Sequence, residues 1–312
     1  RYILAGALIF LIIILQPFYL EWLGYDAGVV PEEGLEVAGS GDVLPVQGGA
    51  FSPSFESKPA DILTKPSSAE SFITIVTPLY TATLTNRSGG SFTNYLLSHE
   101  NSDELKYLGG YGDGGIFNPN LPVSLLINSA EGCMPCLADY DDMANTYNFI
   151  NQPFTLLNYS NKQDTLFLDS GSIELKYSLT NNNGLPLINK IVSFSADKYI
   201  NEHYFEINDE VFEHSNSLEL LWYGGLRPTE EKEDEDVVYG SGIISQAGET
   251  ESVQTKNAEE NIVRDVFKGQ TDWVAIRTKY FMSAIIAMNP GKYATLSGHN
   301  EKFGNRQHTP LY

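Results

Sequence analysis

The chain has 312 residues, 40 of them acidic and 19 basic, for a formal net charge of −21, and 42% of it is hydrophobic. That composition is globular rather than disordered, and the negative excess excludes nucleic acid and anionic lipid headgroups as electrostatic partners. Two cysteines cannot staple a chain of this size, so a hydrophobic core has to hold it.

The chain opens at Arg1 on an apolar run, Tyr2 to Leu15, which Phe18, Tyr19, Leu20, Trp22 and Leu23 extend. As a helix, Tyr2 to Leu20 is about 28 Å long, close to the hydrocarbon thickness of a bilayer. Trp22 and Tyr25 fall where interfacial aromatics belong. A cleaved signal peptide would end its apolar stretch in small residues, whereas Gln16-Pro-Phe-Tyr-Leu follows here, so residues 1–24 read as an uncleaved anchor. Arg1 on one flank and Glu21, Asp26, Glu32, Glu33 and Glu36 on the other orient the rest of the chain away from the cytoplasm. Between Asp26 and Ser71, 18 of 46 residues are Gly, Pro or Ser and the apolar residues have no period. Residues 25–71 therefore read as a flexible tether.

From Phe72 the pattern changes to short β-branched and aromatic runs punctuated by Gly, Asn and Pro. Phe72 to Thr77 and Tyr80 to Thr85 read as strands. Asn86-Arg-Ser-Gly-Gly is a turn with Gly89 and Gly90 free to take positive φ, and Ser91 to Leu97 is the next strand. Ile173, Leu175, Tyr177 and Leu179 alternate with Glu174, Lys176 and Ser178, predicting a strand with one buried face. Asn181 to Gly184 turns it into a return strand over Ile188 to Phe194. Tyr204 to Asn208 and Leu218 to Trp222 add two more. Residues 72–312 thus predict a large antiparallel β-sandwich with little helix.

Several motifs suggest chemistry and most dissolve on inspection. Cys133-Met-Pro-Cys136 has the C-x-x-C spacing of redox dithiols and of half a zinc site. No second ligand pair exists for zinc, and in an oxidising compartment a local disulfide is favoured over a catalytic dithiol or free thiols. Gly110 to Gly115 fits G-x-G-x-x-G, but Asn118-Pro-Asn-Leu-Pro follows where a helix would be needed. Asp139, Asp141 and Asp142 start like a calcium loop, yet Ala144 and Ile150 occupy the glycine and glutamate positions. His99, His203, His214, His299 and His308 have no metal spacing, and Thr229 to Asp236 reads as a solvated acidic loop. No catalytic residue, metal or cofactor is expected.

The order of parts resembles the first half of the YidC family of membrane protein insertases, in the Oxa1/Alb3 superfamily, as found in Gram-negative bacteria. Arg1-Tyr-Ile-Leu with its apolar span and polar tether carries the first part of the likeness. Ile75-Val-Thr, Thr83-Leu-Thr, Gly89-Gly-Ser-Phe and Leu96-Leu carry the second. The most specific part runs from Gly269 to Phe281, where Trp273-Val-Ala and Lys279-Tyr280-Phe281 are similar to the family's tryptophan and K/Q-Y-F strand pair. Trp222-Tyr-Gly-Gly-Leu fits the same order, while Tyr107 to Asn151 looks like an insertion.

The resemblance implies an inner-membrane anchor and a periplasmic β-supersandwich related in fold to sugar mutarotases, with Trp273, Tyr280 and Phe281 as core aromatics. It implies a non-enzymatic chaperone role in inserting and folding nascent inner-membrane proteins, alone or beside the Sec translocon and its accessory subunits, with the bilayer met through residues 2–23. The family's membrane helices would follow this domain, so its insertion residues are assigned to none here; the domain is expected to be truncated at its C-terminus and to insert nothing alone. Because fold does not fix function, a carbohydrate-binding or mutarotase-like protein is the alternative. Its acid–base pair would be His203 with Glu206, or His214 with Glu213.

Overall fold

Alternating apolar and polar residues become strands throughout the computed structural model, which describes residues 69–308 apart from 102–103, 113–114, 128–132, 142–145, 160–163, 214–216, 233–237, 255–262, 299–300 and 304–305. The anchor at 1–24 and nearly all of the tether at 25–71 lie outside the described residues, as do His214 and His299. No helix among the described residues is long and apolar enough to cross a membrane.

The chain begins with β1 (Phe72–Val76), β2 (Tyr80–Thr85) and β3 (Ser91–Leu97). Two small ribbons follow, β4 (Glu100–Asn101) with β5 (Glu104–Leu105) and β6 (Leu108–Tyr111) with β7 (Phe117–Pro122). Next come β8 (Cys136–Asp141), β9 (Thr146–Phe149), β10 (Thr155–Leu156), β11 (Thr165–Phe167), β12 (Ser172–Thr180), β13 (Pro186–Ser195) and β14 (Glu202–Ile207). A short helix, α1 (Asp209–Glu213), leads to β15 (Leu218–Leu221). The last part holds β16 (Ser241–Gln246), β17 (Glu249–Gln254), the long β18 (Val263–Arg277) and β19 (Met282–Gly298), and a ribbon of β20 (Glu301–Phe303) and β21 (Arg306–His308).

Two four-stranded sheets, ordered β11-β1-β2-β3 and β10-β12-β13-β14, share one core. Ile73, Ile75, Tyr80, Leu84 and Phe92 of the first meet Leu175, Tyr177, Ile188, Val192 and Phe194 of the second. Six of these eight strands are predicted by the sequence; β10 and β11, two and three residues long, are not. All their pairings are antiparallel except β1 with β11, which is parallel. A third sheet, β15-β8-β9, carries a small core of Cys133, Cys136, Ala138, Tyr140, Tyr147 and Phe149. The fourth, β17-β16-β18-β19, encloses Ile244, Ala294 and Leu296.

The reading of Tyr107 to Asn151 as an insertion is corrected by the packing. Val123, Leu126, Met134, Leu137 and Ile150 all belong to the main core. The segment fills the sandwich rather than decorating it, because its short Gly- and Pro-broken runs still deliver apolar residues to the interior, some to the main core and some to that of the third sheet.

Candidate functional site

Residues 86–91 close the β2–β3 hairpin, and both glycines are required there. Gly89 has φ +67° and Gly90 φ +89°. A β-carbon on Gly89 would come 2.9 Å from the Phe154 ring, and one on Gly90 would come 2.7 Å from the Tyr177 ring. Positive φ and lack of space thus act together.

Beneath the turn lies Lys190, whose stem carbons would be 3.2 Å from a β-carbon on Gly89. It occupies an inward position of β13, in phase with Ile188, Val192 and Phe194, and is 0% exposed. Its Nζ donates to the carbonyl oxygens of Ser88 at 3.1 Å, Gly90 at 3.4 Å and Pro135 at 3.1 Å, and lies 5.0 Å from the centre of the Phe205 ring. Among the described residues no carboxylate is bonded to it. Burial pushes its ammonium down to about 7. An unpaired buried charge is costly, and three charge-assisted bonds to backbone oxygens are what offset that cost. One side chain thereby fastens the glycine turn to the loop that bears the cysteines.

That loop is docked by its backbone as well. Met134 N donates to Ser91 Oγ at 2.6 Å, and Phe92 N donates to Met134 O at 2.8 Å. Cys133 and Cys136 are joined to each other, their Cα atoms 4.6 Å apart, and neither is exposed. On the far side Tyr223 N donates to Cys133 O at 2.7 Å, and Gly224 leaves room for the Met134 side chain, whose sulfur would lie 2.5 Å from an added β-carbon. The segment Trp222 to Arg227 thus laces the loop to the core. Arg227 completes it, donating from Nε to Leu126 O and from Nη1 to Tyr111 O, both at 3.1 Å.

His203 lies on the inward face of β14 beside Phe92, their ring centres 5.8 Å apart, and its Nε2 is 2.9 Å from Asn201 Oδ1. Burial, with the charge of Lys190 added, lowers its pKa well below the ordinary imidazole value. Glu206, three residues on, is exposed on the opposite face. A strand turns residues three apart to opposite sides, so the mutarotase-like pairing of His203 with Glu206 is not formed. For His214 and Glu213 the side chains lie outside the described residues.

The signature near the C-terminus divides. Lys279 and Tyr280 form the tip of the β18–β19 hairpin rather than a strand, closed by Thr278 N donating to Phe281 O at 2.8 Å. Lys279 Nζ is 3.8 Å from Glu230 and sits over the rings of Tyr280 and Tyr239, at 4.9 and 5.7 Å. Phe281 packs against the main core and edge-on to Tyr107, at 6.1 Å. Tyr280 is 65% exposed, which corrects its reading as a core residue: a tip position has no interior to point into. Trp273 is half-buried, in register with Ser245 on one side and Ile286 on the other.

Sequence reasoning passed over Lys190 although a cue was present. Ile188, Lys190, Val192 and Phe194 share the inward phase of a single run. A lysine in such a phase signals a buried ammonium with carbonyl partners. The arrangement as a whole holds backbone segments in place and presents no accessible nucleophile or base.

A family model described as the YidC periplasmic domain matches residues 118–309, more than half of the chain. A curated relative, the membrane protein insertase YidC of Prosthecochloris aestuarii (strain DSM 271 / SK 413), is 30% identical over 107 residues, covering 34% of this chain and 18% of that protein. The chain therefore matches under a fifth of the length of that relative. No solved structure matches. The family match runs through the cysteine loop, Lys190, Trp222 to Arg227 and the Trp273-to-Phe281 hairpin, and the chain belongs to the YidC periplasmic domain family.

Proposed function

We propose that this chain is the anchor and periplasmic domain of a bacterial membrane protein insertase, serving the insertion and folding of inner-membrane proteins without catalysing a covalent step. The observation that carries the reading is the family match over residues 118–309. In this reading residues 1–24 anchor the chain in the inner membrane, 25–71 tether it, and 72–312 stand in the periplasm. The partners are nascent inner-membrane proteins and the Sec translocon with its accessory subunits. The full burial of Lys190 and its bonds to three backbone oxygens support a scaffold rather than an enzyme. The separation of His203 from Glu206 by the thickness of β14 weighs against a sugar epimerase.

The test is depletion of the gene product in its own cell. A single-span inner-membrane protein, pulse-labelled during depletion, should lose its protected fragment when protease is added outside spheroplasts. Normal insertion after complete depletion would overturn the assignment.

A further inference from the structure

Lys190 and Tyr177 stand directly opposite one another on β13 and β12, both on the inward face. Residues paired in this way have their β-carbons about 5 Å apart. The turn over residues 86–91 lies across both side chains. A β-carbon on Gly89 would be 3.2 Å from the Lys190 stem, and one on Gly90 would be 3.4 Å from the Tyr177 hydroxyl oxygen. Gly90 also supplies the carbonyl that takes the longest of the three Lys190 bonds, 3.4 Å against 3.1 Å for Ser88 and Pro135. The two polar ends therefore meet at one residue. Tyr177 is 1% exposed, and its hydroxyl has no hydrogen-bond partner among the described residues. A buried hydroxyl left in that condition is costly and calls for an explanation.

The ammonium of a lysine has three N–H donors and no acceptor, which suits three carbonyls. A neutral amine has two donors and a lone pair, so one carbonyl must lose its bond and the lone pair must find a donor. We propose that Tyr177 is the partner Lys190 takes when it gives its proton to solvent: the amine keeps Ser88 O and Pro135 O, releases Gly90 O, and accepts the Tyr177 hydroxyl. Gly90 O is the one released because its bond is the longest and Tyr177 already lies beside it. The hydroxyl remains a donor throughout, because burial raises Tyr177 while it pushes Lys190 down to about 7.

The groups around the pair do not change charge in the same range. On β14 His203 is held well below the ordinary imidazole value by burial and by Lys190 itself, and Phe205 presents only its ring. Arg87 in the turn stays charged, with its Nε donating to Asn151 O at 3.1 Å. In the cysteine loop Cys133 and Cys136 are bonded to each other and do not titrate. A rise in pH thus loosens the turn at Gly90, while the cysteine loop stays fastened through Pro135 O.

The test uses the full chain in a zwitterionic detergent, with lysines labelled with carbon-13 at Cε and followed by nuclear magnetic resonance from pH 5.5 to 9.5. In the wild type the Gly90 carbonyl shift should follow the Lys190 titration as a lost hydrogen bond, while Ser88 and Pro135 keep bonded carbonyls. Tyr177→Phe removes the donor that the neutral amine needs, so the acid constant of Lys190 should fall about tenfold, a rise of about one pH unit. Urea midpoints should separate the two states. At pH 5.5 Tyr177→Phe deletes a hydroxyl without a partner and should not lower the midpoint. At pH 9 it deletes a bond and should lower the midpoint by about 0.5 M. With Lys190→Met in place, Tyr177→Phe should act equally at both pH values. A Lys190 titration unmoved by Tyr177→Phe, or a midpoint change that is the same at both pH values, overturns the proposal and assigns the hydroxyl to an ordered water. A lysine that keeps its proton throughout, or a Gly90 carbonyl that does not respond, overturns it in the wild type alone, whatever the folding of the variant.

Discussion

Lys190→Met isolates the energetic role of the buried ammonium. Methionine matches the length of the stem but deletes the charge and the three bonds to Ser88, Gly90 and Pro135 oxygens. The level of stability at any one pH is a poor guide, because losing three acceptors' partner and losing the cost of a buried charge oppose each other. The slope with pH is decisive. In the folded chain Lys190 titrates near 7, against an ordinary 10.5 when unfolded. Between those values the unfolded state holds a proton that the folded state has released, so stability rises with pH, by about 1.4 kcal/mol per unit at most. From pH 7 to 9.5 the gain integrates to about 3 kcal/mol.

Other groups leave that window clear. His203 is depressed in the folded state, so its contribution is present above about 6.5 and is lost as pH falls. Burial raises Tyr80 and Tyr199 to about 12 and raises Tyr95 and Tyr177 as well, so their effect begins only as unfolded tyrosine ionises near 10. Urea unfolding of both proteins should show the wild-type midpoint rising by about 1 M between pH 7 and 9.5, given a slope of about 3 kcal/mol per molar. In Lys190→Met that rise should vanish. Parallel profiles for the two proteins would refute the reasoning and would mean that three carbonyls solvate the ammonium as well as water does.

Gly90→Ala forces a side chain into positive φ and against the Tyr177 ring at 2.7 Å, and should cost about 2 kcal/mol or more in a denaturation midpoint. Gly184→Ala, with φ +79° but nothing within 4 Å, should cost about 1 kcal/mol; equal costs would show that space around Gly90 is irrelevant. Alkylation in denaturant without reductant should label neither Cys133 nor Cys136, and reduction should lower stability by about 2 kcal/mol for so short a loop. Labelling of both thiols in freshly prepared protein would contradict the bond.

The parts of the fold legible in the sequence are those where one face is wet and one dry. Phe72 to Leu97 and Ser172 to Ser195 alternate over most of their length, and the strands fall where the alternation puts them. The Gly89-Gly90 turn was legible for the same reason, since two glycines between alternating runs have few other uses. Three features were hidden. Lys190 breaks composition but keeps phase, and phase wins because the carbonyls of two other segments replace its water. The 107–151 segment has no period because its short pieces divide their apolar residues between two cores. Tyr280 is as apolar in outline as Phe281, and only the hairpin geometry sends one outward and the other toward Tyr107.

The C-x-x-C motif shows how far spacing alone can mislead about chemistry. A redox dithiol needs an attackable sulfur and an environment that favours thiolate. Here both sulfurs belong to residues with 0% exposure, and Cys136 is already paired into β8 opposite Leu221. The positive charge that could favour a thiolate, on Lys190, is spent on Pro135 O within the same loop. Met134, between the cysteines, sits in the main core, while the cysteines belong to the smaller core of the third sheet. The short bridge therefore lies where two cores meet, and its backbone is gripped from both sides, by Ser91 and Phe92 on one and Tyr223 on the other. Constraint at that point fixes the third sheet against the sandwich. The cysteines act as architecture, their sulfurs held in a bridge between two buried residues.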